Sequence, residues 1–241
     1  MRYAVLGHCY GCPWLWTYCG KTYPEEYAFL HGGLLEPSSN FFLAYQTFFA
    51  LRWLRSKLRI IAGKYRGLRL ATLKGKRVRP TAERVREAIF NVLGSDLSEL
   101  WVLDLFAGTG AMGLEALSRG AGFVVMVDQH PAAIKLIGRN LAACGNPQQV
   151  RVYRLDLGRG LKGLTYQGYC FDLVFLDPPY GQGLTQRCLE QLGTGKLLKP
   201  SATVVSEHAI DEDLTSTYGC LQRQTMRRYG STAVSFYQGG E

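Results

Sequence analysis

The sequence contains no run of about 18 uncharged apolar residues, the length that a transmembrane helix requires. The nearest stretch, residues 41–54, is too short and contains Arg52. A secretory signal peptide is also missing, because this apolar stretch follows several glutamates instead of a short basic head. We therefore expect a cytoplasmic protein that makes no contact with a membrane.

A disulfide framework and a paired set of metal ligands are missing as well. The seven cysteines are odd in number and scattered along the chain. Cys9, Cys12 and Cys19, with His8, come nearest to a zinc site, but no second ligand pair follows at the usual spacing. We expect no bound metal.

Acidic residues are nearly absent from residues 59–86, which contain ten Lys or Arg and only Glu83 as an acid. This stretch carries a charge of +9, equal to the formal net charge of the whole chain. Such a concentration is typical of a surface that binds the phosphates of a nucleic acid. A solvated basic face without a partner would give the same pattern.

The chain divides into three parts. Residues 1–58 are rich in aromatic side chains and show no sustained periodicity. Residues 59–98 form a basic extension, and residues 99–241 alternate between strand and helix patterns. Nearly continuous apolar strands that alternate with helices predict an α/β domain whose parallel sheet is covered on both faces.

Individual elements can be placed from the same patterns. Parallel strands are expected at 101–106, 124–128, 150–155, 171–177 and 202–206, with helices at 112–119 and 132–143. A closing hairpin is expected from 222–229 and 232–237.

The basic extension predicts two short strands around a turn at residues 63–67, followed by a helix. Thr81 is placed to cap that helix, with Glu83 in its first turn. The apolar residues of the helix recur at helical spacing, so Arg84 and Arg86 are expected to lie outside the core.

A glycine-rich loop follows the first predicted strand of the sheet. Gly108, Gly110 and Gly113 open a helix there, and such glycines let the backbone approach a nucleotide closely. Asp128 ends the next strand, 20 residues after Gly108, where a carboxylate can accept hydrogen bonds from ribose hydroxyls. By spacing alone, this pattern fits a dinucleotide such as NAD equally well.

Asp104 favours a different cofactor. A carboxylate before the first glycine would repel a pyrophosphate at the helix N-terminus but would suit the α-amino group of S-adenosyl-L-methionine. We assign Phe106, Ala107 and Thr109 of the same loop to this cofactor site. Asp156, after the third strand, could hold the adenine amine or be an ordinary turn residue.

The segment FDLVFLDPPY at residues 171–180 carries the candidate catalytic residues. A buried strand delivers Asp177 to the carboxyl edge of the sheet, where open α/β sheets bind their ligands. The Asp177 carboxylate and the Pro178 carbonyl can accept hydrogen bonds from a base amine, while Tyr180 stacks on an extruded base. A plain proline-rich turn after a strand is the structural alternative.

Together these segments resemble the bacterial small-subunit ribosomal RNA guanine-N2 methyltransferases, the RsmD-like family. The resemblance runs from about residue 59 to the C-terminus through RIIAGKYRG, RPTAERVREAIFN, DLFAGTGAMGLEALSRGA, FDLVFLDPPYG and RRYGSTAVSFY. It implies a Rossmann-like methyltransferase sheet, S-adenosyl-L-methionine as cofactor and a guanine of 16S rRNA as substrate. The implied partner is 16S rRNA or the assembling small ribosomal subunit, and we expect a monomer.

The resemblance also implies that the basic extension contacts RNA and that residues 79–81, including Thr81, lie near cofactor and base. The RNA-binding candidates are Lys64, Arg66, Arg69, Arg79 and Arg84.

Members of the family begin with Met just before the RIIAG segment, where this chain has Leu58. One hypothesis is that translation starts at Leu58, through a leucine codon read as Met. The alternative is that residues 1–58 are a lineage-specific arm.

Three other functions share parts of these patterns. An adenine-N6 DNA methyltransferase would use the same Asp-Pro-Pro-Tyr segment. An NAD-dependent oxidoreductase would share the glycine spacing, although no hydride-transfer His or Tyr is evident at a strand end. A non-catalytic RNA-binding module could retain the whole fold.

Overall fold

The computed structural model describes residues 58–72 and 80–240, without the side chains of residues 80–82. The predictions for residues 1–57 and for Arg79 lie outside the described residues. The helices are α1 Pro80–Leu93, α2 Ala111–Ser118, α3 Pro131–Ala143, α4 Lys162–Thr165 and α5 Leu184–Thr194. The strands are β1 Trp101–Leu105, β2 Phe123–Asp128, β3 Val150–Arg154, β4 Phe171–Leu176, β5 Leu198–Ala209, β6 Thr217–Tyr218, β7 Leu221–Tyr229 and β8 Thr232–Gly239.

The strands form one eight-stranded sheet in the order β3-β2-β1-β4-β5-β8-β7-β6. Strands β1 to β5 run parallel, whereas β8, β7 and β6 continue the sheet in antiparallel pairs. The strand order reverses between β1 and β4, and ligands of open α/β sheets bind beyond the carboxyl ends of the strands at such a reversal. The predicted α/β class, the parallel strands and the closing hairpin are confirmed.

Apolar side chains alternate between two cores, one on each face of the sheet. Val102 belongs to a core that includes Ile60 and Phe90, from the basic extension and α1. Leu103 and Leu105 point to the opposite core, which α5 covers with residues such as Leu189. The basic extension therefore packs on the sheet as part of the same domain.

The predicted strand pair of the basic extension is present only as a short antiparallel pairing, in which the Ile60 amide donates to the Leu68 carbonyl and the Leu70 amide to the Leu58 carbonyl. Only one isolated bridge joins Arg59 to Arg69, and the residues between form turns. The backbone N–H groups of Ile61 and Ala62 donate to the carboxylate of Glu115 on α2, at 2.7 and 3.0 Å. Because these donors are directed toward α2, no regular two-stranded ladder forms.

Two predictions for α1 are wrong. The helix begins at Pro80, so Thr81 lies inside its first turn and not at the cap; proline suits this first position because its missing N–H needs no partner. Arg86 is only 4% exposed and donates from Nη2 to the Arg59 carbonyl at 2.6 Å. Arg84 is exposed, as predicted.

Within residues 58–72 and 80–240, no helix has the length and hydropathy to span a membrane. In the same part of the chain, no three His, Cys, Asp or Glu side chains group into a metal site.

Candidate active site

The loop between β1 and α2 is held in a conformation that ordinary residues adopt rarely. Phe106, Gly108 and Gly110 all have positive φ, at 60°, 55° and 75°. The Ala107 amide donates to the Val127 carbonyl at 3.0 Å, which fixes the loop against the end of β2. The backbone thus turns sharply at the carboxyl edge of the sheet, where the cofactor was predicted.

Asp128 ties this loop to the segment after β2. Its Oδ2 accepts from the Gly108 amide at 2.9 Å and its Oδ1 from the His130 amide at 2.8 Å. The residue is 6% exposed. A carboxylate oxygen can accept more than one hydrogen bond, so Asp128 keeps acceptor capacity for ribose hydroxyls.

Asp104 is a buried acid near the end of β1, and only 3% of it is exposed. Its Oδ2 accepts from the Gly113 amide at 2.9 Å. Burial raises its pKa to about 7, the hydrogen bond from Gly113 opposes this shift, and the charge of Asp128 adds to it. No ion pair within the described residues involves Asp104. A buried acid without a cationic partner fits a ligand that brings an ammonium group.

Asp156 forms a turn and also borders a cavity. Its Oδ1 accepts from the Gly158 amide at 3.0 Å, and its Oδ2 lies 3.2 Å from Nε of Arg159. Asp156 therefore has the hydrogen bond of an ordinary turn residue, which was one of the two interpretations of it. The same residue lines an open cavity of about 540 Å³. The lining residues are Gln129, His130, Pro131, Arg154 and Asp156.

The candidate catalytic segment begins directly after β4. Leu176 lies in register with Leu105, and Phe175 with Asp104, so the carboxyl ends of β4 and β1 are adjacent. Side chains two residues apart on a strand share a face, so Asp177 lies on the same face as Asp104. The structure thus brings the two predicted carboxylates together at the point where the strand order reverses.

The surroundings of Asp177 raise the pKa of its carboxyl. Desolvation raises its pKa well above the usual range, and the negative charges of Glu207 and Asp104 raise it further. The residue is nevertheless exposed at the sheet edge, so protein crowds the carboxylate without covering it and water moderates the shift. A carboxyl with a raised pKa is a stronger proton acceptor once it is ionised.

Comparison with known proteins identifies the family. A family model described as Conserved hypothetical protein 95 matches residues 58–238. The chain belongs to this family. The ribosomal RNA small subunit methyltransferase D of Haemophilus influenzae is 35% identical over 186 residues, which cover 76% of this chain and 93% of that protein.

Solved structures agree with the family assignment. The structure of yhhF from Escherichia coli has a TM-score of 0.66 at 31% identity, covering 76% of this chain and 97% of its own. The structure of SMU.776 complexed with SAH shares the fold at 15% identity and a TM-score of 0.55, covering 71% and 52% of the two chains. These findings confirm the RsmD-like resemblance, the Rossmann-like methyltransferase fold and S-adenosyl-L-methionine as cofactor. The glycine spacing alone was compatible with either NAD or S-adenosyl-L-methionine, and the comparisons exclude NAD as the cofactor.

In this member of the family, Tyr180 is held by residues that the sequence did not indicate. Its hydroxyl lies 3.3 Å from Oε1 of Glu207, to which it donates, and 3.1 Å from Oγ1 of Thr232. The ring remains 43% exposed. Burial raises the pKa of Tyr180 to about 12, so its hydroxyl stays protonated at neutral pH. Glu207 and Thr232 come from β5 and β8, and no motif or spacing connects them with Tyr180.

The predicted RNA-binding residues of the extension are accessible. Lys64, Arg66 and Arg69 are exposed, and Lys64 lies 5.3 Å from the centre of the Tyr65 ring. The turn that carries them is anchored to the end of α2, because the Lys64 amide donates to the Ser118 carbonyl at 2.7 Å.

A buried asparagine joins the extension to the cofactor loop. Asn140 on α3 accepts from the Ala71 amide at 2.8 Å and donates to the Ala71 carbonyl at 3.3 Å. It also donates to the Thr109 carbonyl at 2.8 Å. An asparagine within an amphipathic helix gives no sequence signal of such a bridge.

Proposed function

We propose that the protein transfers a methyl group from S-adenosyl-L-methionine to the N2 amine of a guanine in 16S rRNA. The observation that carries the proposal is the position of Asp177, which lies beside Asp104 on one sheet face at the reversal of strand order. A cofactor held at β1 and β2 would present its reactive end toward a base held at Asp177.

The residues at the ends of β1 and β2 fit this cofactor. Asp104 suits the α-amino group, the backbone of residues 106–110 suits close approach of the ligand, and Asp128 suits the ribose hydroxyls. The cavity beside Asp156 has room for the adenine ring. When bound, S-adenosyl-L-methionine supplies a sulfonium methyl group that reacts with a nucleophile.

The Asp-Pro-Pro-Tyr segment fits the base. An exocyclic amine of a base is a poor nucleophile because its lone pair is delocalised into the ring. Hydrogen bonds to the Asp177 carboxylate and the Pro178 carbonyl would hold the amine so that its lone pair is localised toward the methyl group. The exposed Tyr180 ring offers a stacking face for a base removed from its helix.

The amine loses a proton when it is methylated. Asp177 lies where it would accept that amine hydrogen, and its raised pKa makes its ionised form a better acceptor than an ordinary aspartate. The two backbone-fixing prolines keep this acceptor directed at the base edge.

RNA as the substrate class is supported by the basic extension and by the printed names of the relatives. The exposed cations of residues 58–72 lie in the same domain as the catalytic segment. Phosphate contacts from such a surface would position the RNA, while a splayed base enters the site.

The test is methyl transfer in vitro. The full chain is incubated with labelled S-adenosyl-L-methionine and small ribosomal subunits that lack the modification, and the RNA is digested to nucleosides. We expect the label in N2-methylguanosine. Label in N6-methyladenosine would show that the substrate is an adenine, and transfer only to DNA supplied in place of RNA would show that it is not RNA. Cofactor binding without transfer to any nucleic acid would favour the non-catalytic RNA-binding module.

A further inference from the structure

A second acidic side chain lies beside the candidate catalytic carboxylate. In the pairing of β4 with β5, Leu176 is in register with Ser206. One residue further along both strands, Asp177 therefore stands next to Glu207, and neighbouring parallel strands lie about 4.8 Å apart. Residues paired in this way point to the same face of the sheet.

Glu207 is only partly engaged by the protein. It is half-buried, and its Oε1 accepts from the Tyr180 hydroxyl at 3.3 Å. Among residues 58–72 and 80–240, Oε2 of Glu207 has no hydrogen-bond partner, and no ion pair neutralises the carboxylate. An acceptor with spare capacity thus lies beside Asp177 and next to the stacking ring.

The arrangement matches one edge of one base. Guanine presents two adjacent donors, the N1–H and the N2 amine, whereas adenine presents an acceptor at N1 beside its N6 amine. Two neighbouring carboxylates complement the guanine edge. Against adenine, one of them would face the N1 lone pair.

Resting on the proposed function, we propose that Glu207 is the specificity-determining residue of this site, and that its carboxylate accepts the N1–H of guanine while Asp177 accepts the N2 amine. A site built to receive a hydrogen bond rejects a base that cannot donate it, because a charged acceptor is then left facing a lone pair. Glu207 would thereby discriminate guanine from adenine at the base edge that is methylated.

The substrate comparison removes the N1–H. 2-Aminopurine keeps the N2 amine of guanine, has an unprotonated N1 and also lacks the O6 carbonyl, so the Glu207 variants are needed to assign the part of the difference that depends on the N1–H. An RNA fragment is prepared with either guanine or 2-aminopurine at the position that the wild-type full chain methylates. Single-turnover rates are then measured with saturating S-adenosyl-L-methionine.

For the wild type, we expect 2-aminopurine to react on the order of 100-fold more slowly than guanine. In Glu207→Gln, the amide oxygen can still accept the N1–H but without the negative charge, so the rate on guanine should fall by only about tenfold. The rate on 2-aminopurine should rise, because the amide can instead donate to N1, and the preference should shrink to a few-fold.

Tyr180→Phe is the matched control for the alternative in which Glu207 acts only by holding Tyr180. It removes the hydroxyl that Glu207 accepts from but leaves the carboxylate, so the rates should change while the preference for guanine remains. If Glu207→Gln slows both RNAs equally, or if the wild type methylates both equally, the proposal is wrong.

A second variant covers a folding defect in Glu207→Gln. Glu207→Asp retains a carboxylate on a shorter side chain, and we expect it to keep a preference for guanine with a reduced rate. If Glu207→Asp binds adenosylhomocysteine normally but has lost the preference for guanine, the proposal is wrong, because a carboxylate is still present. Failure of the proposed function is recognised separately, because the wild type would then form no N2-methylguanosine in the guanine RNA.

Discussion

Substitution of Gly63 is predicted to release the basic extension from the methyltransferase domain. Gly63 has φ +79°, and a Cβ added there would lie 1.8 Å from the backbone oxygen of Ser118 in α2. Gly67, four residues further along the same turn, has φ +82° and no atom within 4 Å of an added Cβ. Gly67→Ala is therefore a matched control with the same backbone strain and no clash.

The magnitude follows from the contacts that the clash would break. The left-handed backbone costs an alanine about 1–2 kcal/mol at either position. At Gly63 the turn must also move away from α2, which breaks the bonds from the Lys64 amide to the Ser118 carbonyl and from the Tyr65 amide to the Ser118 hydroxyl. The bond from that hydroxyl to the Ala62 carbonyl is lost with them. At about 1 kcal/mol for each hydrogen bond, Gly63→Ala should cost roughly 3 kcal/mol more than Gly67→Ala.

Hydrogen exchange of peptides within residues 58–72 measures this difference. An extra 3 kcal/mol corresponds to roughly a 100-fold larger opening equilibrium in Gly63→Ala than in Gly67→Ala. RNA affinity should fall in Gly63→Ala, while affinity for adenosylhomocysteine should stay within about threefold because the fold of the sheet edge is retained. Equal exchange in the two variants would refute the docking of this turn on α2.

Three further predictions concern single side chains. Because the pKa of Asp104 is about 7 when folded against an ordinary 3.8, the folded state holds this proton more tightly, and stability should fall as the pH rises through this range. Urea denaturation without ligand should show that Asp104→Asn flattens this dependence between about pH 4 and pH 7, and an unchanged slope would contradict the raised pKa of Asp104. Asn140→Ala should lower the free energy of unfolding by about 2–3 kcal/mol, since it leaves the Ala71 and Thr109 backbone groups unpaired, and an unaltered urea midpoint would count against the bridge. Arg66→Ala should reduce the salt dependence of log K for RNA by roughly 1, whereas Lys135→Ala on α3 should leave it unchanged; equal slopes in both would remove the extension from the interface.

The elements that local patterns determine were predicted well. The loop from Asp104 to Gly113 combines a strand end, glycines and a helix start, and all of these signals come from adjacent residues. The apolar runs of β1, β2 and β4 are typical of strands buried on both faces, so their positions followed from composition alone.

Contacts between distant residues could not be predicted in the same way. Arg86 was expected outside the core because the apolar residues of the helix recur at helical spacing on another face. The Arg59 carbonyl accepts a hydrogen bond from its buried guanidinium, and the nearby negative charge of Glu115 favours the charged form. The hairpin pairing is shorter than predicted because Glu115, more than fifty residues away in sequence, accepts hydrogen bonds from the Ile61 and Ala62 amides. Such long-range competition for backbone hydrogen bonds leaves no periodic signal.

The candidate site also contains residues that a local sequence pattern predicted and residues that only long-range contacts bring together. Asp177 and Tyr180 lie three residues apart within one recognisable segment, so their association was evident from the sequence. Glu207 and Thr232 reach Tyr180 only through the register of β5 with its neighbours. A register of this kind is set by the whole sheet and not by any one strand.

The most direct test of the central claim is the single-turnover rate of methyl transfer by Asp177→Asn to small-subunit RNA. Asparagine keeps the shape of the side chain but cannot accept the amine proton. The rate should fall by about 10³-fold or more, with adenosylhomocysteine affinity within about threefold of the wild type. The control is Asp172→Asn at the other end of β4, where the carboxylate binds Lys199, and its transfer rate should be unchanged. An Asp177→Asn rate within tenfold of the wild type would contradict the assignment of Asp177 to the chemistry.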